Sequence, residues 1–207
     1  MSSKITNNDI NKFLVRVYFG EIKKDNLPKN IILLAINRAY LDFCRTLRDF
    51  KLEHHHDEII TKSKEYLKDT IVELLSQQER GENFYNEWHK QTCEKLITFF
   101  PKTKNYFYYG QAQKWINMTL KYLFTIMRLG LLSEYEYSIK QYYLSFHVPI
   151  DNIILDKLKN ENADCPKFKT PWSKINNYEK YMDFQKWIRE KFSNEIPMDK
   201  EFKLWMD

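Results

Sequence analysis

Two segments of the chain carry side chains that could act on a sugar or a phosphate. The first is a helix predicted over residues 111–129, with Lys114 near its start. The second is Asp151, which follows Val148-Pro149-Ile150 and precedes an apolar run at 153–155, so its carboxylate falls at a predicted helix N-terminus. Simple helix capping would also explain Asp151, and a solvated surface charge would explain Lys114. On residue types alone, both interpretations of each side chain stay open.

The helix over 111–129 carries a polar stripe at helical spacing. The stripe consists of Lys114, Asn117, Lys121, Thr125 and Arg128. A basic and aromatic connection, residues 101–110, leads into this helix and ends at Gly110. Cations on the connection and on the stripe are suited to a polyanionic partner.

A histidine cluster at 54–56 is a candidate metal site by composition but not by geometry. Consecutive helical residues point in different directions, so three adjacent histidines cannot ligate one ion from a regular helix. We therefore expect a solvated corner here and no metal. Arg48 and His54 have a spacing similar to that of the all-α ribonucleases called higher eukaryotes and prokaryotes nucleotide-binding domains. That similarity gives one alternative function, RNA cleavage through Arg48 and His54.

Residues 83–160 resemble the helix-hairpin-helix DNA glycosylase superfamily. Within that superfamily they are most similar to the archaeal 8-oxoguanine DNA glycosylase branch. In that family a hairpin between two helices binds the DNA backbone, a catalytic lysine lies near the start of the second helix, and an aspartate follows a hydrophobic-Pro-hydrophobic motif. The last motif reads Val148-Pro149-Ile150-Asp151 here. The family's Leu-Pro-Gly-hydrophobic-Gly hairpin is reduced to Gly110, and Lys114 follows it by four positions rather than two. Lys121 therefore stays an alternative nucleophile.

The resemblance implies excision of a modified or damaged base, with or without an associated lyase activity, in base-excision repair or antiphage defence. Lys114 and Asp151 would be the catalytic pair, converging on one flipped nucleotide of double-stranded DNA. No cofactor is implied, and we expect a monomer. The implied substrate and DNA contacts are Lys102, Lys104, Tyr108, Tyr109, Gly110, Lys121, His147 and Trp172. A non-catalytic helical module that binds nucleic acid or protein is the alternative from another class.

Composition predicts the elements that must position these residues. The 207 residues include only four glycines and six prolines, which excludes glycine-rich phosphate loops and disfavours a β-rich fold. No segment alternates with period two, so we expect an all-α bundle of about eight or nine helices in one domain over 1–207. Residues 83–160 would form the hairpin and catalytic region, with the helices of 160–207 packed on it. The predicted helices span 8–19, 29–50, 57–79, 83–99, 111–129, 134–144, 152–159, 177–192 and 199–206.

Charge and cysteine content bound the environment of the protein. The net charge is +5, which permits a polyanionic partner without requiring one. Three well-separated cysteines indicate a reducing compartment and argue against a disulfide framework, structural zinc or an iron–sulfur cluster. The polar N-terminus does not read as a signal peptide, and the apolar runs are too short to span a bilayer. We therefore expect a cytoplasmic protein.

Overall fold

The computed structural model describes residues 4–22, 27–78, 81–101 and 106–206. Within these ranges the chain forms α-helices and short 3-10 helices and no strand, which confirms the predicted all-α class. Among the described helices, none combines the length and apolar character needed to cross a membrane. The α-helices are α1 (Asn7–Phe19), α2 (Leu27–Phe43), α3 (His56–Ser76), α4 (Glu82–Phe99), α5 (Tyr109–Arg128), α6 (Glu136–Tyr143), α7 (Asn152–Glu161), α8 (Tyr178–Lys191) and α9 (Pro197–Met206).

Helix α5 is the central element of the bundle. Sixteen of its twenty residues are buried, because α2, α4, α6, α8 and the 3-10 turn Trp172–Lys174 all pack against it. Trp115 lies fully buried at the α2 interface, where its Nε1 donates to the carbonyl of Ile36 at 3.0 Å. The polar stripe predicted for this helix is therefore largely internal, and its charges need partners inside the protein.

Helix α2 is shorter than the segment 29–50 predicted from periodicity. It ends at Phe43, and the chain continues as two 3-10 turns at Cys44–Leu47 and Phe50–Leu52. The Thr46 hydroxyl donates to the carbonyl of Phe43 at 2.8 Å and so satisfies one acceptor that the ending helix leaves open. Leu47 and Phe50 are nevertheless buried, so the apolar pattern that suggested a longer helix comes from core residues in the turns.

Gly110 allows the first turn of α5 to touch another backbone segment. Its N–H donates to the carbonyl of Ile175 at 3.0 Å, and a Cβ at this position would overlap the carbonyl oxygen of Trp172. A larger residue cannot occupy this contact without moving one of the two segments. The N-terminus of α5 is thereby fixed against the loop that precedes α8.

Candidate functional site

A cleft of about 780 Å³ opens between α1, α2, α5, α9 and the start of α7. Its wall combines rings with charged groups, as small-molecule sites commonly do. The aromatic lining residues are Tyr18, Phe19, Tyr122, Phe202 and Trp205. The charged lining residues are Arg38, Asp42, Arg45, Lys114, Lys121 and Asp151. Both members of the predicted catalytic pair therefore lie in one cleft wall.

Lys114 and Asp151 are in direct contact. Lys114 Nζ donates to Asp151 Oδ2 at 2.5 Å, and the lysine is only 2% exposed. Asp151 is also the N-cap of α7, since its Oδ1 accepts from the N–H of Ile154 at 2.9 Å. Asp151 thus caps α7 and pairs with Lys114 at the same time, and Lys114 is not a solvated surface lysine.

Gln113 fixes the backbone next to Asp151, a role that the sequence analysis did not identify. Its Oε1 accepts from the N–H of Ile150 at 3.1 Å, and its Nε2 donates to the carbonyl of the same residue at 2.9 Å. The neighbour of Lys114 therefore binds the neighbour of Asp151 through both amide atoms. This clamp sets the register between α5 and the extended segment 148–151, and hence the position of the ion pair. A glutamine in a helix gives no signal of such a contact before the partner segment is known.

A second buried ion pair lies on α5, two turns after the first. Lys121 Nζ donates to Glu201 Oε2 at 2.5 Å, and the ammonium lies 4.4 Å from the ring centroid of Phe202. Burial lowers the pKa of Lys121 and raises the pKa of Glu201, because both charged forms lose hydration. Lys121 lines the cleft, whereas the Glu201 side chain is fully enclosed.

The described residues of the connection before α5, residue 101 and residues 106–110, do not line the cleft. Lys102 and Lys104 lie outside the described residues, so their predicted phosphate contacts stay predictions. Tyr108 is the N-cap residue of α5 and Tyr109 packs on Tyr178, with ring centroids 5.5 Å apart. Both tyrosines are half-buried outside the cleft lining. Gly110 was predicted to contact a DNA phosphate. Its N–H already donates to the carbonyl of Ile175, so it is not available to a phosphate.

His147 and Trp172 were predicted to contact the substrate, but in the structure both pack against the core of the bundle. His147 is fully buried, with Nδ1 2.8 Å from the Tyr181 hydroxyl and Nε2 2.7 Å from Asn86 Oδ1. Burial lowers the pKa of His147 well below its usual range, so the ring is neutral and both nitrogens are occupied. Trp172 packs its backbone against Gly110. Neither residue belongs to the cleft wall.

The residues of the ribonuclease alternative lie apart from the cleft. Arg48 and His54 are exposed in the turns between α2 and α3, and neither lines the cleft. In the described part of the chain, no group of three or more His, Cys, Asp or Glu side chains is arranged to hold a metal ion. The histidine cluster forms local pairs instead, such as His55 Nδ1 with Glu58 Oε2 at 3.2 Å.

A polar network that the sequence analysis did not single out forms another part of the cleft wall. Arg38 Nη1 donates to Asp42 Oδ1 at 2.9 Å, and Arg38 Nη2 donates to the Tyr18 hydroxyl at 2.7 Å. The Tyr122 hydroxyl donates to Asp42 Oδ2 at 2.7 Å. In the sequence, Arg38 and Asp42 show only the i, i+4 spacing of an ordinary surface pair on a helix. The two tyrosines come from α1 and α5, so the tertiary fold alone assembles the network.

Comparisons of the chain with protein families, with characterised proteins and with solved structures found no match. The resemblance to the helix-hairpin-helix glycosylases therefore rests on the motifs within 83–160. Any function must be argued from the cleft and from the chemistry of its side chains.

Proposed function

We propose that the protein is a DNA glycosylase in which Lys114 attacks C1′ of a flipped nucleotide and Asp151 accepts the proton that the lysine must lose. The observation that carries this proposal is the 2.5 Å contact between the two side chains in the wall of an open cleft. An amine nucleophile, an adjacent base and a cavity are the parts that such a reaction needs.

Burial of an ion pair does not by itself indicate that Lys114 and Asp151 stabilise the fold. Taking two charges out of water costs several kcal/mol per ion, and the attraction between them often does no more than offset that cost. A buried ion pair is therefore weak evidence of stabilisation. The same pair at a cleft wall supplies a reactive amine and a carboxylate, and such groups concentrate at functional sites.

The reaction can be written from these two groups. Asp151 Oδ2 takes one proton from the Lys114 ammonium, which leaves a neutral amine. The nitrogen lone pair forms a bond to C1′ as the C1′–base bond breaks. The electron pair of the broken bond leaves with the base. The departing base takes the proton back from Asp151. Ring opening then moves a proton from the nitrogen to O4′ and gives a Schiff base between Lys114 and C1′. From it, transfer of a C2′ proton to the Asp151 carboxylate and breakage of the C3′–O3′ bond, with the 3′ phosphate as leaving group, would cleave the strand.

The cleft supports binding of a base outside the stack. A flipped base needs a pocket with aromatic or apolar faces, because it loses its stacking partners in the duplex. Phe19, Tyr122, Phe202 and Met118 offer such faces in the same cleft as the ion pair. Arg45, an exposed residue of the 3-10 turn Cys44–Leu47, lies at the cleft and is suited to a phosphate next to the extruded nucleotide.

Borohydride trapping tests the proposal. Duplex oligonucleotides that each carry one modified base, together with a duplex that carries an abasic site, are incubated with the purified protein and borohydride. Hydride addition to the Schiff base makes the link permanent, so the wild type should give a protein–DNA band on denaturing gels and Lys114→Gln should not.

Lys121→Gln is the matched control for the trapping experiment. It lies on the same stripe of α5 and also forms a buried ion pair, so loss of the band in Lys114→Gln alone assigns the nucleophile. Loss of the band in Lys121→Gln alone would move the chemistry to the second lysine. If the wild type gives neither a trapped band nor released base on any duplex, the enzyme proposal fails and the non-catalytic interaction module becomes the better interpretation.

A further inference from the structure

The polar network of Arg38, Asp42, Tyr18 and Tyr122 is separated from the ion pair by an apolar surface. On the stripe of α5 that runs from the ion pair to the network, the cleft is lined by Lys114, then Met118, then Tyr122, while Lys121 and Thr125 line it beside this stripe. Eight residues of α-helix span about 12 Å at 1.5 Å per residue. The cleft thus has a reactive end at Lys114, an apolar middle at Met118, and a hydrogen-bonding end at the network.

The network keeps hydrogen-bonding capacity for a ligand. The Arg38 guanidinium has five N–H groups, and its bonds to Asp42 and Tyr18 use two of them. The carboxylate of Asp42 has about four lone-pair sites and accepts one bond each from Arg38 and Tyr122. The Tyr18 hydroxyl accepts from Arg38 and lies 3.4 Å from the Tyr122 hydroxyl, so the spare capacity is on Arg38 and Asp42. Because burial raises the pKa of Tyr122, its hydroxyl stays protonated as the donor to Asp42.

The four side chains are also held in fixed positions. Each makes at least one hydrogen bond within the network, and the Arg38 guanidinium lies 4.4 Å from the ring centroid of Tyr18. The side chains of Arg38 and Asp42 keep a limited exposure, 23% and 17%, and both line the cleft. Donors and acceptors that are preorganised in this way discriminate between ligands more strongly than an apolar wall does, because a mismatched ligand leaves them without partners.

We propose that this network selects the base, with Asp42 accepting from an amino or imino N–H of a nucleobase and Arg38 donating to the neighbouring carbonyl oxygen or ring nitrogen. The inference rests on the proposed glycosylase function. The sugar would lie at Lys114 and Asp151, the base face over Met118, and the hydrogen-bonding edge of the base against α2. The ligand class is therefore a nucleobase that presents a donor beside an acceptor.

An abasic site makes the test specific, because it retains the sugar that Lys114 attacks but has no base edge. Single-turnover base release is measured for wild type, Asp42→Asn and Arg38→Lys on duplexes carrying uracil, hypoxanthine, 8-oxoguanine or 5-hydroxymethylcytosine. Borohydride trapping on the abasic duplex is measured in parallel. We expect roughly 10- to 100-fold slower release of the base that wild type prefers, a changed order among the bases, and unchanged trapping on the abasic site.

Two further variants guard against a folding artefact. Tyr122→Phe removes one hydroxyl from Asp42 and should shift the order of base preference in the same direction by a smaller factor. Thr125→Val is the matched control, because the Thr125 hydroxyl lies at the cleft but already donates to the carbonyl of Lys121 at 2.9 Å. It should leave release and trapping unchanged.

The outcomes separate the two proposals. Variants that release every base as wild type does, or that lose abasic trapping in the same proportion as base release, would overturn the selection role and leave the glycosylase intact. A wild type that neither releases a base nor traps on the abasic duplex would overturn the glycosylase, and the base-selection role would fall with it.

Discussion

Helix α5 carries two buried lysine–carboxylate pairs that are alike in chemistry and different in surroundings. In each, a lysine Nζ lies 2.5 Å from a carboxylate oxygen and both lysines line the same cleft. Asp151 caps α7 with its second oxygen and keeps 12% side-chain exposure. Glu201 is fully enclosed in α9, and its Oε1 has no hydrogen-bond partner within the described ranges.

Under the proposed function, the environment of the acid distinguishes a pair that can reach a ligand from one that cannot. Asp151 has a satisfied second oxygen and access to the cleft, so it can exchange a proton with a ligand. Glu201 reaches no ligand, and its attraction to Lys121 holds α9 against α5. The position of α9 in turn brings Phe202 and Trp205 to the cleft wall. The proposed catalytic role therefore belongs to the first pair, and the second pair closes the cleft wall.

The largest expected difference between the pairs is in catalysis. Asp151→Asn keeps a capping oxygen but removes the proton acceptor, so single-turnover base release should fall by roughly 10²-fold or more. Glu201→Gln should change the rate by less than about threefold, because Glu201 does not touch the cleft. Thermal unfolding by circular dichroism checks that both variants are folded at the assay temperature. Equal losses in the two variants would remove the distinction.

Loss of the lysine should lower the free energy of unfolding more in the second pair than in the first. Lys121→Met leaves an enclosed carboxylate without its cation and should lower the free energy of unfolding by about 3–5 kcal/mol. Lys114→Met should cost less than half as much, because Asp151 is partly exposed and keeps its bond from Ile154. Urea unfolding measures both.

A double variant isolates the interaction within the second pair. Lys121→Met with Glu201→Leu removes both charges, so it should recover most of the stability lost in Lys121→Met. If the double variant is less stable than Lys121→Met alone, packing around Glu201 rather than its charge governs the site.

The pH dependence of stability gives a smaller effect with a defined sign. Burial raises the pKa of Glu201 above the 4.5 of a free glutamate, so in this range the folded state binds more protons than the unfolded state. The stability that protonated Glu201 contributes is therefore fully present below pH 4.5 and is lost as pH rises through the pKa of Glu201 in the folded state. As pH rises above 4.5, wild type should lose stability relative to the Lys121→Met, Glu201→Leu variant, by at most about 1.4 kcal/mol per pH unit. Parallel curves in urea unfolding would contradict this.

The smallest effect concerns the ring beside Lys121. Trp205 lies with its ring centroid 5.6 Å from Lys121 Nζ and is 44% exposed. Trp205→Leu should cost about 0.5–1 kcal/mol through the cation–π interaction when Lys121 is present. The cost should shrink in the Lys121→Met background, and a double-mutant cycle measures the difference. No coupling between the two changes would mean that the ring only covers the ammonium.

Local patterns in the sequence sufficed for the fold class, and the resemblance to a known family supplied the first of the two pairs. The absence of alternation and the scarcity of glycine predict an all-α chain, and the position of Asp151 before an apolar run predicts its capping role. The resemblance to glycosylases predicts that Lys114 and Asp151 converge, and the structure brings them into contact. Their catalytic role stays a prediction.

The second pair and the base-selecting network could not be predicted in the same way. Glu201 lies among polar residues in a short helix, a setting in which glutamate is normally solvated, and only packing on α5 buries it. Asp42 and Arg38 likewise look like surface residues until α1 and α5 supply Tyr18 and Tyr122. For His147, its proximity to Asp151 in sequence suggested the substrate, but the chain turns its ring into the core. These assignments depend on contacts between residues distant in sequence.

The central position of α5 has a consequence for synthesis of the protein. The apolar face of α2 is covered by a helix that follows much later, and Ile36 and its partner Trp115 are 79 residues apart. At roughly 5–20 residues per second, translation separates the two by about 4 to 16 seconds. During that interval the α2 face has no α5 to pack against, so a nascent chain that ends before residue 109 exposes apolar surface. The ribosome-bound N-terminal half should therefore recruit chaperones, and release from them should coincide with the emergence of α5.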